Sequence, residues 1–150
     1  MALRNIVKVG DPLLRKKCKP VEAFDAKLWQ LLDDMKDTLD NAEGLGLAAP
    51  QVGMLKRVCI IEYEDKLYEL VNPTLISSKG RCVDNEGCLS VVGFRGLVPR
   101  PKQIDIEYFD RNGDKVSLHA EGYLARVFLH EMDHLDGILF SDKMIRKLPD

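Results

Sequence analysis

No stretch of the 150-residue sequence approaches the roughly 18 consecutive apolar residues that a membrane-spanning helix requires, and the first ten residues, MALRNIVKVG, hold no apolar signal core. A mature cytosolic chain is expected, with an organelle protein trimmed of its transit peptide as the alternative. Neither sign of charge is in excess. With 22 Lys and Arg against 24 Asp and Glu, the net charge is -2, which gives no electrostatic footprint for nucleic acid or anionic lipid. Cysteine is sparse, and Cys18, Cys59, Cys82 and Cys88 show no CxxC spacing. They are expected to be free thiols or metal ligands rather than bridges. Histidine is sparser still, with only three. Repeats, low-complexity tracts and linker-like runs are missing, so a single domain over 1–150 is expected, large enough to bury a core without disulfide staples.

Apolar periodicity marks out the elements. Asp11 and Pro12 suit the start of a short helix through Leu13, Leu14 and Lys16. Asp25 is placed to cap a longer one, with Phe24 and Trp29 at staple spacing and Leu28, Leu31, Leu32, Met35 and Leu39 forming a stripe that ends before Gly44. Val58 to Ile61, Leu67 to Val71 and Thr74 to Ser78 read as three strands, the last two parted by Asn72-Pro73. Ile104, Ile106 and Tyr108 alternate with polar residues, as do Val116, Leu118 and Ala120, and Asn112-Gly113 between them signals a hairpin. A last helix is expected from Tyr123 to Leu135, stopped by Gly137. Helix, strands, then helix is an α+β pattern, with antiparallel or mixed strands around a C-terminal helix.

That helix carries His130-Glu131-Met132-Asp133-His134. Residues i and i+4 share a helical face, so both imidazoles can hold one metal ion while Glu131 reaches a water bound to it. An open site takes a third protein ligand. The long metzincin motif fails because Phe140 stands where its third His would be, and no Glu follows Glu131 to complete a thermolysin-like set. A zinc endopeptidase is disfavoured on the same grounds. Asp136 and Asp142 remain as local carboxylates. Upstream, Glu86-Gly87-Cys88-Leu89-Ser90 offers a thiol beside a glycine, and a thiolate is a strong ligand for zinc or ferrous iron. The other three cysteines read as small core residues. Gly44 to Gly53 (GLGLAAPQVG) is a third feature: ten uncharged residues in which Gln51 is the one side chain able to donate a hydrogen bond to an oxyanion. No GK[ST] follows, so it is not a phosphate loop.

GLGLAAPQVG, EGCLS and HEMDH, in this order and spacing, resemble the three motifs of the peptide deformylases. The likeness extends to the DPLLR segment, to Arg95 through Arg100 and to the closing HLDGILFSDKM. It implies the fold of that family and removal of the formyl group from N-formylmethionine on newly made proteins. By motif position it implies Cys88, His130 and His134 as metal ligands with a water in the fourth place. Glu131 would be general base and then general acid, and the Gln51 side chain and the Leu89 N–H would be oxyanion donors. It further implies ferrous iron as the ion, with zinc, nickel or cobalt able to replace it. N-formylmethionyl nascent chains are the implied partners, with transient ribosome contact and no nucleic-acid or membrane specificity of the chain's own.

For the peptide path the resemblance suggests Gly46 and Gly87, with Arg95 at the entrance. Leu45, Tyr123, Val127 and the stem of Arg126 are candidates for the methionine pocket by their closeness to the motifs. His119 lies on the polar phase of its strand and is expected to be exposed. Two residues depart from the family pattern: Leu129 where Gln usually precedes HExxH, and Val92 where Pro is common.

Overall fold

The computed structural model describes residues 2–150. A short 3-10 turn occupies Pro12–Arg15, its first N–H groups capped by Asp11, whose carboxylate accepts from the Leu13 N–H at 3.0 Å. Helix α1 (Ala26–Ala42) begins at Asp25, which accepts from the Leu28 N–H at 3.2 Å. Its stripe of Leu28, Leu31, Leu32, Met35 and Leu39 is buried as expected. The staple pair does something else: Phe24 packs on Phe109 at 6.2 Å between ring centroids, and the exposed Trp29 donates its indole N–H to the Arg111 carbonyl at 2.7 Å.

Five strands form one antiparallel sheet in the order β1-β2-β3-β6-β7: β1 (Gly46–Ala48), β2 (Val58–Tyr63), β3 (Lys66–Lys79), β6 (Gln103–Phe109) and β7 (Lys115–Glu121). The remaining strands, β4 (Cys82–Cys88), β5 (Val91–Arg100) and β8 (Arg146–Pro149), make a second antiparallel sheet. Between β7 and β8 lie α2 (Gly122–His134) and the single-turn α3 (Phe140–Lys143). Among the described residues no helix is long and apolar enough to cross a membrane.

The larger sheet is covered on both faces at one end. Leu47, Val58, Ile60 and Val71 pack under the α1 stripe, while their neighbours Ala48, Cys59, Ile61 and Leu70 pack against Ala125, Val127, Phe128 and Leu129 of α2. A strand buried on both sides has no polar phase, which is why Val58 to Ile61 is an unbroken apolar run. The β6–β7 hairpin is covered by α2 on one face along most of its length and so alternates, Phe109 at its end packing on the other side against Phe24. Its loop is tied by Asp110, whose carboxylate accepts from the N–H groups of Asn112 and Asp114 at 2.9 and 3.0 Å, and Gly113 takes φ +86°.

One strand boundary differs from expectation. Asn72-Pro73 does not end a strand; β3 runs through it with a register shift between Val71 and Thr74. Asn72 adopts φ +51°; its N–H donates to the Arg57 carbonyl at 2.8 Å, and its side chain accepts from the Val21 N–H at 2.8 Å and donates to the Val21 carbonyl at 2.9 Å. The helix stop at Gly137 is borne out. Its φ is +74°, and a Cβ there would run into the Arg15 backbone.

Candidate active site

Helix α2 is anchored by its apolar face, so the residues one step round point toward the second sheet. His130, Glu131 and His134 are all buried there. Cys88 ends β4 just after a register shift, half-buried and facing the helix. The ligand atoms of Cys88, His130 and His134 lie within 4.8 Å of one another. Cys88 Sγ is 3.4 Å from His134 Nε2, close to the roughly 3.5 Å that a thiolate and an imidazole take on one tetrahedral ion. A donor set of two imidazole nitrogens and one thiolate sulfur, gathered this closely, fits a divalent first-row metal. The two local carboxylates go elsewhere: Asp136 pairs with Arg57 at 3.0 Å, and Asp142 pairs with Arg15.

Electrostatics also favour a cation. Burial lowers the His130 imidazole, but Glu131, Cys88 and Glu86 outweigh it and hold it up to about 10. Burial, with His130 and Arg100 beyond it, pushes His134 well below the usual histidine range. Glu131 is pushed up to about 7, first by burial, with Glu86 adding and with His130 and Arg100 opposing. Its Oε1 and the His134 Nδ1 are buried and without a hydrogen-bond partner among the described residues. Gly46 runs directly past this carboxylate, since a Cβ there would sit 2.6 Å from Glu131 Oε2.

Behind the ligands stands Glu86. Its carboxylate accepts from Arg100 Nε at 2.7 Å and Nη2 at 2.9 Å, from Arg126 Nη1 at 2.6 Å and from His130 Nδ1 at 2.8 Å. Burial alone would raise it, but the Arg100 and His130 hydrogen bonds dominate and hold it at about 2. A permanently ionised acceptor holds the His130 Nδ1–H and so turns Nε2 toward the site. Arg100 continues to Asp133 inside the helix motif at 2.8 Å. The motif EGCLS contains Glu86, but nothing in the sequence links it to Arg100, Arg126 or His130.

Gln51 lies in a 3-10 turn over Ala49–Val52. The Ala48 N–H fixes its amide by donating to Oε1 at 2.9 Å, which turns Nε2 toward Ser90 Oγ at 3.0 Å and Cys88 Sγ at 3.5 Å. In front of these groups opens a cleft of about 420 Å³. Gln51, Cys88, Leu89, His130 and Glu131 line it, together with Leu45, Gly46, Gly87, Arg95, Tyr123 and Val127; His134 sits behind the wall. Arg95 lies across Gly87, leaving no room for a Cβ, and donates from Nε to Asn85 Oδ1 at 2.6 Å. Tyr123 is held by its hydroxyl on the Asn85 carbonyl at 3.0 Å. The guanidinium of Arg126 is consumed by Glu86, the Val98 carbonyl and the Cys82 carbonyl, so only its stem is available to the cleft.

Sequence reasoning missed the wall built by Val91, Val92 and Phe94 of β5 and the rim residue Glu43. Val92, where the family commonly has Pro, is 72% exposed, and Leu129 is buried against the large sheet. His119 is exposed as expected and is held between Asp105 and Glu121 at 2.8 Å each.

Comparison with known proteins agrees with this arrangement. A profile of the polypeptide deformylase family matches residues 3–149. A peptide deformylase of Caldicellulosiruptor bescii is 56% identical over 146 residues, covering 97% of this chain and 88% of its own length. The crystal structure of the Thermotoga maritima peptide deformylase superposes with a TM-score of 0.94 at 37% identity, over 96% of this chain and 99% of that one. That of the Acinetobacter baumannii enzyme with Met-Ala-Ser bound gives 0.92 at 34% identity, over 95% and 99%. With nearly the whole length and the fold in agreement, the chain belongs to the peptide deformylase family, hydrolases that remove N-formyl groups from nascent peptides.

Proposed function

We propose that this chain hydrolyses the formamide of N-formylmethionine by metal-dependent general base catalysis, with Cys88, His130 and His134 as the metal ligands and ferrous iron as the ion. The observation that carries this reading is the buried Glu131 carboxylate, raised to about 7, beside the Cys/His/His cluster at the floor of the cleft. A divalent ion there, ferrous or its zinc, nickel or cobalt substitutes, supplies Lewis acidity and makes water nucleophilic at neutral pH.

The side chains supply the rest. Glu131 takes the proton of the attacking water and returns it to the departing amine nitrogen, a task suited to a group poised near neutrality. Gln51 Nε2, its orientation fixed by Ala48, and the Leu89 N–H donate to the formyl oxygen as it becomes an oxyanion. Gly46 and Gly87 supply backbone groups that line the path of the peptide. Tyr123, Val127, the Arg126 stem and the 46% exposed Leu45 form the apolar side that receives the methionine thioether. Arg95 stands at the entrance, on the path of the emerging chain.

Formate release from formyl-Met-Ala-Ser, by protein purified without oxygen and loaded with ferrous iron, tests the reading. Rapid release supports it; no release by protein holding one equivalent of iron overturns it. Gln51→Ala is expected to lower kcat by about 10²–10³-fold with little change in metal content, the loss typical of one oxyanion donor. Iron as the ion predicts that activity decays in air, where ferrous iron beside a thiolate oxidises, while the cobalt-loaded protein keeps its rate. Equal, lasting activity of the protein as isolated with and without oxygen would count against iron.

A further inference from the structure

The chain ahead of the first turn is in neither sheet, yet it touches both elements that carry the proposed oxyanion donors. The Val7 N–H donates to the Gln51 carbonyl at 2.7 Å. Next along, the Lys8 ammonium donates to the Leu89 carbonyl at 3.0 Å. The Val9 N–H then donates to the Ser90 carbonyl at 2.8 Å. Three consecutive residues thus span the 3-10 turn that holds Gln51 and the turn between β4 and β5 that holds Leu89.

We infer that residues 7–9 act as a strap that sets the separation of the two oxyanion donors, with Lys8 as a positioning residue for the reaction. The inference rests on the assignment of Gln51 and Leu89 as donors. Two features give Lys8 the particular role. It makes the one side-chain contact of the three, and that contact holds the Leu89–Ser90 peptide plane. The other end of this plane, the Ser90 N–H, points at Cys88 Sγ at 3.5 Å, and Ser90 Oγ is the partner of Gln51 Nε2. An ammonium on the carbonyl therefore fixes the peptide that directly follows the one bearing the Leu89 N–H, and with it the Ser90 N–H that meets the thiol and the Ser90 side chain that meets Gln51 Nε2. The cleft lining does not include Lys8, so it acts through Leu89 and Ser90 rather than on the substrate.

An exposed single hydrogen bond adds little to folding stability, so a positioning role separates from a structural one. With formyl-Met-Ala-Ser as substrate, Lys8→Met is expected to lower kcat about three- to tenfold, with KM and Tm unchanged. Lys8→Arg, which still donates to the carbonyl, restores most of the rate. In a Gln51→Ala background the Lys8→Met loss is smaller, because one of the two aligned donors is already gone. In zinc-loaded protein the Leu89 and Ser90 amide resonances move in Lys8→Met and return in Lys8→Arg. A native kcat in Lys8→Met overturns the inference and leaves the proposed reaction intact. A loss that appears in KM, or in step with Tm, overturns it as well. Absence of formate release from the native chain is a distinct result that removes the proposed reaction and the strap's role together.

Discussion

Glu131→Gln is expected to release formate about 10²–10⁴-fold more slowly than the native chain while binding one equivalent of metal equally well. The substitution keeps size and shape, and Glu131 is not one of the three clustered ligands. What it removes is a proton acceptor whose value is set by its surroundings. Burial is the largest cause of the rise to about 7, Glu86 adds to it, and His130 and Arg100 work against it. A carboxyl raised in this way is neutral below that value and loses its capacity as a base there. The native kcat/KM therefore falls as pH drops through it, and a cation on Cys88, His130 and His134 moves this limb lower by favouring the carboxylate. In the Gln variant the limb due to this group is absent. Metal content measured beside the pH profile decides the matter: a variant that loses its rate only by losing metal would show that Glu131 supports the ligands instead of moving the proton.

How much of this was legible depends on distance along the chain. HEMDH is legible because helical spacing alone puts His130 and His134 on one face. Val58 to Ile61 is legible as a strand because burial on both faces removes every polar residue. The continuity of β3 is not, because what holds Asn72 in place is remote in sequence: its N–H donates to the Arg57 carbonyl, and its side chain binds Val21 at a separation of 51 residues. The cleft wall from Val91 to Phe94 is hidden for a similar reason. Those residues face the site only because β5 folds back on β4 and carries the chain past α3. Cys88 lies between these extremes, marked by its glycine neighbour but rivalled in the sequence by Asp136 and Asp142, which only the structure pairs with Arg57 and Arg15.

The interaction least visible in the sequence predicts the largest loss of stability. Glu86→Ala is expected to destabilise the fold by about 3 kcal/mol, within the range for breaking a buried ion pair, and to lower Tm by roughly 6–12 °C for a chain of this size. Arg100 and Arg126 are both nearly inaccessible, and each would lose its ion pair with Glu86. The loss stays at the low end of the range because Arg100 retains Asp133 and Arg126 retains two backbone carbonyls. The same variant frees His130 Nδ1, so metal affinity is expected to fall about 10–100-fold. The sign of the acid response follows from the direction of the shift. Glu86 is held at about 2 against an ordinary 4.5, so its contribution is present in full above the ordinary value. It drains away as pH falls from there toward about 2, where the carboxylate takes up its proton even in the folded chain. Chemical denaturation of the native chain and of Glu86→Ala at pH 7 and at pH 3 measures this directly. The gap between the two should narrow at the lower pH; a gap that is small at pH 7 would mean that the two arginines find other acceptors and that the carboxylate orients His130 without holding β4 to β5 and α2.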